Sequence, residues 1–148
     1  MYTNAKLAEL LSVLGTIDPV SQGVGSVVTS WIPASNHERF LALIQTGVLG
    51  TSATVDAKLI QAKDSSGTGS KDVTGKAITQ IVKASGDNKQ ALINLRAEEL
   101  DINNGFTYVA LSITVGAAAS LVGGVVLGGT ARQYPASISN QAAVAQIV

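Results

Sequence analysis

The sequence holds few residues whose types and spacing could support catalysis. His37 is the single histidine and there is no cysteine, so neither a histidine cluster nor a thiolate site could bind a metal. A catalytic histidine also needs a nucleophile and an orienting acid nearby in space. The surrounding segment, residues 35–38, has the composition of a polar turn. We therefore interpret His37 as an ordinary loop residue.

The acidic cluster Glu98, Glu99 and Asp101 is a second place where chemistry could occur. Neighbouring carboxylates could serve as acid and base or bind Ca²⁺. The cluster lacks the alternating acids and the glycine of a calcium-binding loop, and Arg96 balances part of its charge. This pattern favours a solvated helical turn.

The segment 69–77 superficially resembles a phosphate-binding loop. Five residues separate Gly69 from Gly75 where such a loop has four, and Ala77 stands where Ser or Thr must follow Lys76. We therefore reject a nucleotide site in this segment.

Two glycine pairs near the end of the chain, Gly123-Gly124 and Gly128-Gly129, do not form a dinucleotide-binding fingerprint. They are better explained as bulges or positions of close backbone approach in a strand. The sequence thus indicates no catalytic residue, no cofactor and no metal site, and we predict that the protein is not an enzyme.

The charge balance argues against nucleic acid as a partner. Ten Lys and Arg residues offset ten Asp and Glu residues, and charged residues make up 14% of the chain, against about 25% in ordinary domains. A nucleic-acid-binding protein needs a basic excess to neutralise phosphates. A weakly charged surface suits a protein that contacts neighbouring subunits.

One uncharged stretch, residues 109–129, is long enough to cross a bilayer. Its first part alternates, with Val109, Leu111 and Ile113 on one face and small or polar residues on the other. Lipid does not require this alternation, whereas a half-buried strand does. We predict two strands joined by a turn at residues 116–120, no membrane partner, and no signal peptide at the N-terminus.

Short strand-like segments separated by turn residues fill most of the chain. They cover residues 24–32, 39–46, 54–62, 76–83, 89–96, 106–115 and 120–127, with a polar loop at 63–70 and a helical turn at 97–104. About seven or eight strands in a chain of 148 residues indicate one all-β domain. We predict a jelly-roll-like antiparallel β-sandwich with a short N-terminal helix and an extended C-terminal arm.

The two ends of the chain differ from this pattern. Four leucines within residues 1–14 have the spacing of one helical face, and Gly15 follows as a stop. Residues 136–148 carry no charge, and their aliphatic side chains would be unfavourable in water, so we expect this segment to pack on a protein surface. We therefore divide the chain into an N-terminal helix or arm (1–15), a sandwich (16–132) and a C-terminal arm (133–148).

Either end could pack on its own sandwich or on another subunit. The candidate partner contacts are Leu7, Leu10, Leu11, Leu14, Ile138, Val144, Ile147 and Val148. If they contact a partner, deleting residues 1–14 or 136–148 should weaken that interaction and leave the sandwich folded.

Four stretches together resemble a family of small proteins encoded beside the major capsid protein of tailed bacteriophages. They read GTIDPVSQ (15–22), SATVDAKL (52–59), DVTGKAITQ (72–80) and NLRAEELD (94–101). The similarity covers residues from about 15 to 130. It implies a jelly-roll-like capsid cement, or decoration, protein that is made in the host cytoplasm and sits on the outside of the virion. Its expected partners are the major capsid protein and itself, as a homodimer or homotrimer.

Other functions stay open at this point. A phage adhesin or head-fibre base would bind host glycans, and a tail or neck component would assemble into rings. An enzyme would lose turnover when His37 or Glu99 is substituted. A membrane-inserting protein would depend on detergent during purification.

Overall fold

The computed structural model describes residues 4–148 and shows two antiparallel sheets packed face to face. The strands are β1 (Leu11–Gln22), β2 (Gly25–Val28), β3 (Ile32–Pro33), β4 (His37–Thr46), β5 (Thr54–Ala62), β6 (Lys71–Ala77), β7 (Ile81–Val82), β8 (Gln90–Arg96), β9 (Tyr108–Gly116) and β10 (Ser120–Ala131). The α-helices are α1 (Leu7–Leu10) and α2 (Lys83–Gly86), and short 3₁₀ turns span Ala34–Asn36, Ala97–Glu99, Ile102–Asn104 and Ala136–Ser139.

The strand order defines the fold as a jelly roll. Sheet A has the order β1-β10-β4-β8, and sheet B has the order β2-β9-β5-β6, with β3 paired to β9 and β7 paired to β5. Between the eight longer strands, the chain changes sheet at every connection except the β5–β6 hairpin. Two four-stranded sheets wound in this way form the double Greek key of a jelly roll, so the predicted all-β sandwich is confirmed.

Alternation along the strands builds the core between the sheets. Inward-facing residues at every second position are buried, as with Val55, Ala57 and Leu59 on β5 and Ile93 and Leu95 on β8. The same two-residue period produces the strands β9 and β10 over the uncharged stretch that is long enough to cross a bilayer; a short turn joins them, and they lie in different sheets. No helix within residues 4–148 is long and apolar enough to span a membrane.

The N-terminal helix is confirmed but is much shorter than the leucine spacing predicts. It covers Leu7–Leu10, and the chain becomes strand β1 at Leu11. Residues 1–3 of the predicted helix lie outside the described residues. Pairing with β10 accounts for the difference, because the ladder satisfies the backbone from Leu11 onward while so short a helix has little stability of its own.

Strand β1 also passes through Asp18-Pro19, where the sequence suggested a break. The β1–β10 register shifts between Ile17 and Val20, so these two residues form a bulge. β1 is the edge strand of sheet A, and proline is tolerated there because its missing N–H removes no ladder bond.

The prediction of a single strand at residues 76–83 is wrong. The structure has β6 at Lys71–Ala77 and the two-residue β7 at Ile81–Val82, with the chain turning between them. β6 contributes only Val73 to the core. Its charged, weakly alternating sequence therefore gave little signal for a strand.

Candidate functional site

The centre of the outer face of sheet A is apolar where a solvated sheet would be polar, and polar residues such as Arg39, Gln45 and Asn94 lie around it. β10 presents Leu121, Val125 and Leu127 on this face, and the ladder places Leu41 opposite Leu127 and Leu43 opposite Val125. Further rows add Val13 beside Leu127 and Leu92 beside Leu43. All seven side chains are half-buried or exposed, and Leu92 is 60% exposed.

Sheet B shows the contrasting pattern on its own outer face. Here Ser26 pairs with Thr114 and Asp56 lies on the other side of Thr114, while Lys58 faces Ser112. An antiparallel sheet with one face in water normally alternates in this way. Sheet A has apolar residues on both faces, which is typical of a surface covered by another protein.

A groove of about 530 Å³ lies at one end of this apolar face. The β1 bulge forms its wall, and Leu43, Leu121 and Val125 contribute to its lining. Gly123 allows the bulge to approach β10, because a Cβ at this position would lie 3.2 Å from the Cα of Pro19. This is one of the close backbone approaches that the glycine pairs indicated.

The structure separates the four leucines that the sequence placed on one helical face. Leu7 is 69% exposed on α1 and Leu10 is half-buried at its end. Leu11 lies on β1 opposite Gly129, facing away from the core. Leu14 packs against the core, where a Cβ on Gly128 would lie 2.5 Å from its Cδ1. The leucines therefore do not form one continuous stripe.

The C-terminal segment lies on its own sandwich as far as Gln141. The Val13 backbone N–H donates to Asn140 Oδ1 and the Gln141 backbone N–H donates to Val13 O, both at 2.8 Å. Gln141 Nε2 donates to Thr16 Oγ1 at 3.1 Å, and Ala136 is fully buried. The sequence left open whether this arm packs on its own sandwich or on another subunit. Residues 136–141 pack on strand β1 of the same chain.

The remaining predicted contacts in the C-terminal arm are largely open to solvent. Ile138 is 60% exposed and Ile147 is 53% exposed, while Val148 is fully exposed and Val144 is half-buried. Their role as partner contacts stays a prediction.

The sequence indicated that His37 is an ordinary loop residue. That prediction is wrong, because His37 is a buried residue of strand β4. Its Nε2 lies 2.9 Å from Ser12 Oγ, and the exposed fraction is 1% for His37 and zero for Ser12. Ser12 Oγ donates its single proton to Ala136 O, so it must accept from the Nε2–H of a neutral His37. The imidazole Nδ1 then carries a lone pair and has no hydrogen-bond partner among residues 4–148.

This pairing runs opposite to a nucleophilic dyad, in which serine gives its proton to histidine. Here the serine proton goes to a backbone carbonyl that anchors the C-terminal segment. Burial lowers the pKa of His37 below its ordinary value of 6.5, because the interior disfavours the charged imidazolium. The chemistry of the pair is that of a buried structural contact.

The acidic cluster lies in the solvated turn that the sequence predicted. Glu99 accepts from the Arg96 backbone N–H at 2.7 Å and pairs with Lys76, and these contacts lower its pKa. Lys71 pairs with Asp101 and lowers the pKa of that carboxyl as well. No group of three or more potential metal-ligating side chains occurs in the described part of the chain.

Comparisons with known proteins concern the fold. No protein-family model matches the sequence, and no curated protein is significantly similar to it. Among solved structures, a protein chain of an empty virus-like particle of cowpea mosaic virus is 10% identical in sequence to this chain. The match covers 88% of this chain and 85% of that chain, with a TM-score of 0.46. A protein chain of the Triatoma virus empty capsid is 11% identical, and the match covers 82% of this chain and 88% of that chain with a TM-score of 0.43. A structure described as CBM4 is 11% identical (87% and 91% covered, TM-score 0.44).

These similarities are distant, and the assignment to the jelly-roll class rests on the strand order itself.

Proposed function

We propose that this protein is a structural component of a tailed-phage virion that binds the outside of the capsid and cements it. The partners would be the major capsid protein and further copies of the same chain. The protein would be made in the host cytoplasm and act on the exterior of the head.

The apolar outer face of sheet A is the observation that carries the proposal. Seven aliphatic side chains from all four strands form it, and sheet B has no comparable outer face within residues 4–148. Burying such side chains stabilises an interface by roughly 25 cal/mol per Å² of apolar surface. The resemblance of residues 15–130 to capsid cement proteins supports a capsid as the partner.

A cementing role suits the modest size of this face. Each contact would be weak, yet copies bound at many equivalent places on a closed shell would together resist its disassembly. The zero formal net charge reduces repulsion between crowded copies.

We also propose that the protein has no catalytic role. Ser12 and His37 are buried, and their hydrogen bonds run in the wrong direction for activation of the serine. The carboxylates of the acidic cluster are held by lysine and arginine partners in a solvated turn.

The direct test is binding to heads. Expanded heads of the encoding phage, assembled without this protein, are mixed with purified protein, sedimented through a gradient and then heated. Saturable co-sedimentation and survival at higher temperature are expected. Protein that stays at the top of the gradient, with heads no more resistant to heat, would overturn the proposal; binding to tails or to a glycan array would then assign one of the alternative functions.

A further inference from the structure

The four edge strands of the sandwich differ in how they are protected from pairing with another chain. An edge strand exposes unpaired N–H and C=O groups, and natural proteins block such edges with proline, bulges, charges, short strands or a covering segment. Three of the four edges described for residues 4–148 carry these devices.

The β1 edge is covered and irregular. It contains Pro19 and two register shifts, and residues 140–141 hydrogen-bond to Val13 on its open side. The β2 edge is short, and the neighbouring β3 ends in Pro33. The β6 edge carries Lys71, Asp72 and Lys76, and its register with β5 is shifted.

The β8 edge has none of these features. Its seven residues, QALINLR, pair with β4 in one unbroken register. They include no proline and no glycine, and the one charged residue is Arg96 at the end of the strand. The exposed Leu92 lies near its centre.

The hydrogen bonds identify which backbone groups of β8 are free. Thr46 N–H donates to Lys89 O at 2.8 Å, so position 89 bonds to β4. Arg96 N–H donates instead to Glu99 Oε2. Because bonding alternates along an antiparallel ladder, Gln90, Leu92 and Asn94 direct their N–H and C=O groups to the open edge.

We propose that two copies of this chain pair through β8, antiparallel, about a two-fold axis at Leu92. In this register Leu92 of one copy faces Leu92 of the other, and Gln90 faces Asn94. These are the residues with free backbone groups, so each facing pair exchanges two hydrogen bonds. Arg96, whose N–H is already bonded to Glu99, lies at the end of the new ladder.

The geometry favours a second copy over a different strand of the same protein. Heterologous pairing would require a second open edge, and the other edges are blocked, whereas a two-fold axis uses the same edge twice and leaves none exposed. Leu92 would gain an apolar neighbour, and the amide side chains of Gln90 and Asn94 would hydrogen-bond across the axis. The two A sheets would become continuous, with their apolar outer faces side by side.

This inference deepens the proposed function by naming the surface of self-association, and it rests on that function only for its biological setting. The β8 contact by itself is small, so we expect a weak dimer in solution.

The protein lacks cysteine, which makes disulfide trapping a clean test. Hydrogen-bonded partners on antiparallel strands have Cα atoms about 5.5 Å apart, within the range of a disulfide. Leu92→Cys should therefore give a covalent dimer under mild oxidation. Asn94→Cys alone should stay monomeric, because its copies lie roughly 13 Å apart or more at about 3.3 Å per residue. A mixture of Gln90→Cys and Asn94→Cys should form the mixed dimer.

The association itself is measured by sedimentation equilibrium up to about 1 mM, a range suited to a weak interface. The expected result is a species of twice the 15.1 kDa of the chain. Leu92→Lys should abolish it, since two like charges would meet on the axis. Leu121→Lys, on the same outer face but on β10, should leave it unchanged.

Three outcomes would overturn the proposal: a protein monomeric throughout this range, cross-linking of Asn94→Cys as efficient as that of Leu92→Cys, or equal loss of the dimer in both lysine variants. A dimer that does not bind heads would instead refute the proposed function, and head binding by a monomer would refute only the pairing.

Discussion

His37 shows how one buried residue connects the two ends of the chain. Through Ser12 it links β4 to the start of β1, and Ser12 in turn holds the carbonyl of Ala136. The imidazole must be neutral, because protonation would place a second N–H at an Nδ1 that has no acceptor.

Stability should therefore fall as pH drops below about 7. The unfolded chain binds a proton near the ordinary pKa of 6.5, whereas the folded chain binds it only at lower pH. The free energy of unfolding is thus unaffected at higher pH, falls as pH drops through 6.5, and levels off below the folded pKa. Chemical denaturation at a series of pH values measures this slope.

The control for the pH dependence is His37→Gln, which cannot titrate. Its unfolding free energy should be flat over the same window. The carboxyl groups with lowered pKa, such as Glu99 and Asp101, lose their contribution only below about pH 4. An equal slope in the variant and the parent protein would show that His37 is not the titrating group.

The adjacent glycines Gly128 and Gly129 have different steric surroundings. A Cβ on Gly128 would lie 2.5 Å from Leu14 Cδ1 and 2.6 Å from His37 Cδ2, whereas a Cβ on Gly129 would lie 3.4 Å from Leu11 Cδ2. Gly128→Ala should therefore destabilise the fold by about 1–3 kcal/mol. Gly129→Ala should change stability by less than about 0.5 kcal/mol. Thermal and urea unfolding of the pair check both values, and similar losses in the two variants would contradict this assignment.

At the level of elements, the C-terminal segment has two parts with different roles. Residues 136–141 hydrogen-bond to β1, whereas most of residues 142–148 are exposed. Deleting 142–148 should leave the unfolding free energy unchanged. Deleting 136–148 should cost about 2 kcal/mol or more, since Ser12 and Val13 lose buried partners. Urea denaturation of the two truncations tests this, and equal stability would show that the segment does not support β1.

The N-terminal end requires a revised deletion. Removing residues 1–14 takes away the first four residues of β1, including Ser12. In contrast to the expectation from sequence, we expect this deletion to destabilise the sandwich. Removing residues 1–10 ends before β1 and should preserve it, as measured by the same denaturation experiment.

At the level of the whole molecule, the two outer faces of the sandwich should contribute differently to assembly. Leu43→Lys places a charge on the apolar face of sheet A, and Ile60→Lys places the same charge on the outer face of sheet B. The first should weaken binding to heads at least about tenfold, equivalent to about 1.4 kcal/mol, and the second should not. Co-sedimentation titrations of both variants measure the difference. Equal binding would show that sheet A does not contact the capsid.

The sequence by itself determined the local structure where alternation was strong. Strand β5 falls on the predicted residues 54–62, and β9 and β10 were predicted from the same alternation of side chains. In these segments each side chain is sorted by its own polarity, and a two-residue period is visible without knowledge of its neighbours.

The tertiary structure alone decided which residues meet across long separations in the chain. Leu11 belongs to a strand because β10 lies beside it, and His37 is buried because Ser12 and Ala136 close over it. The apolar outer face of sheet A was equally hidden, since its residues come from four strands that are scattered along the chain and become neighbours only through the jelly-roll winding. Pairing of this kind depends on the register and order of strands, which the polarity of a single segment does not encode.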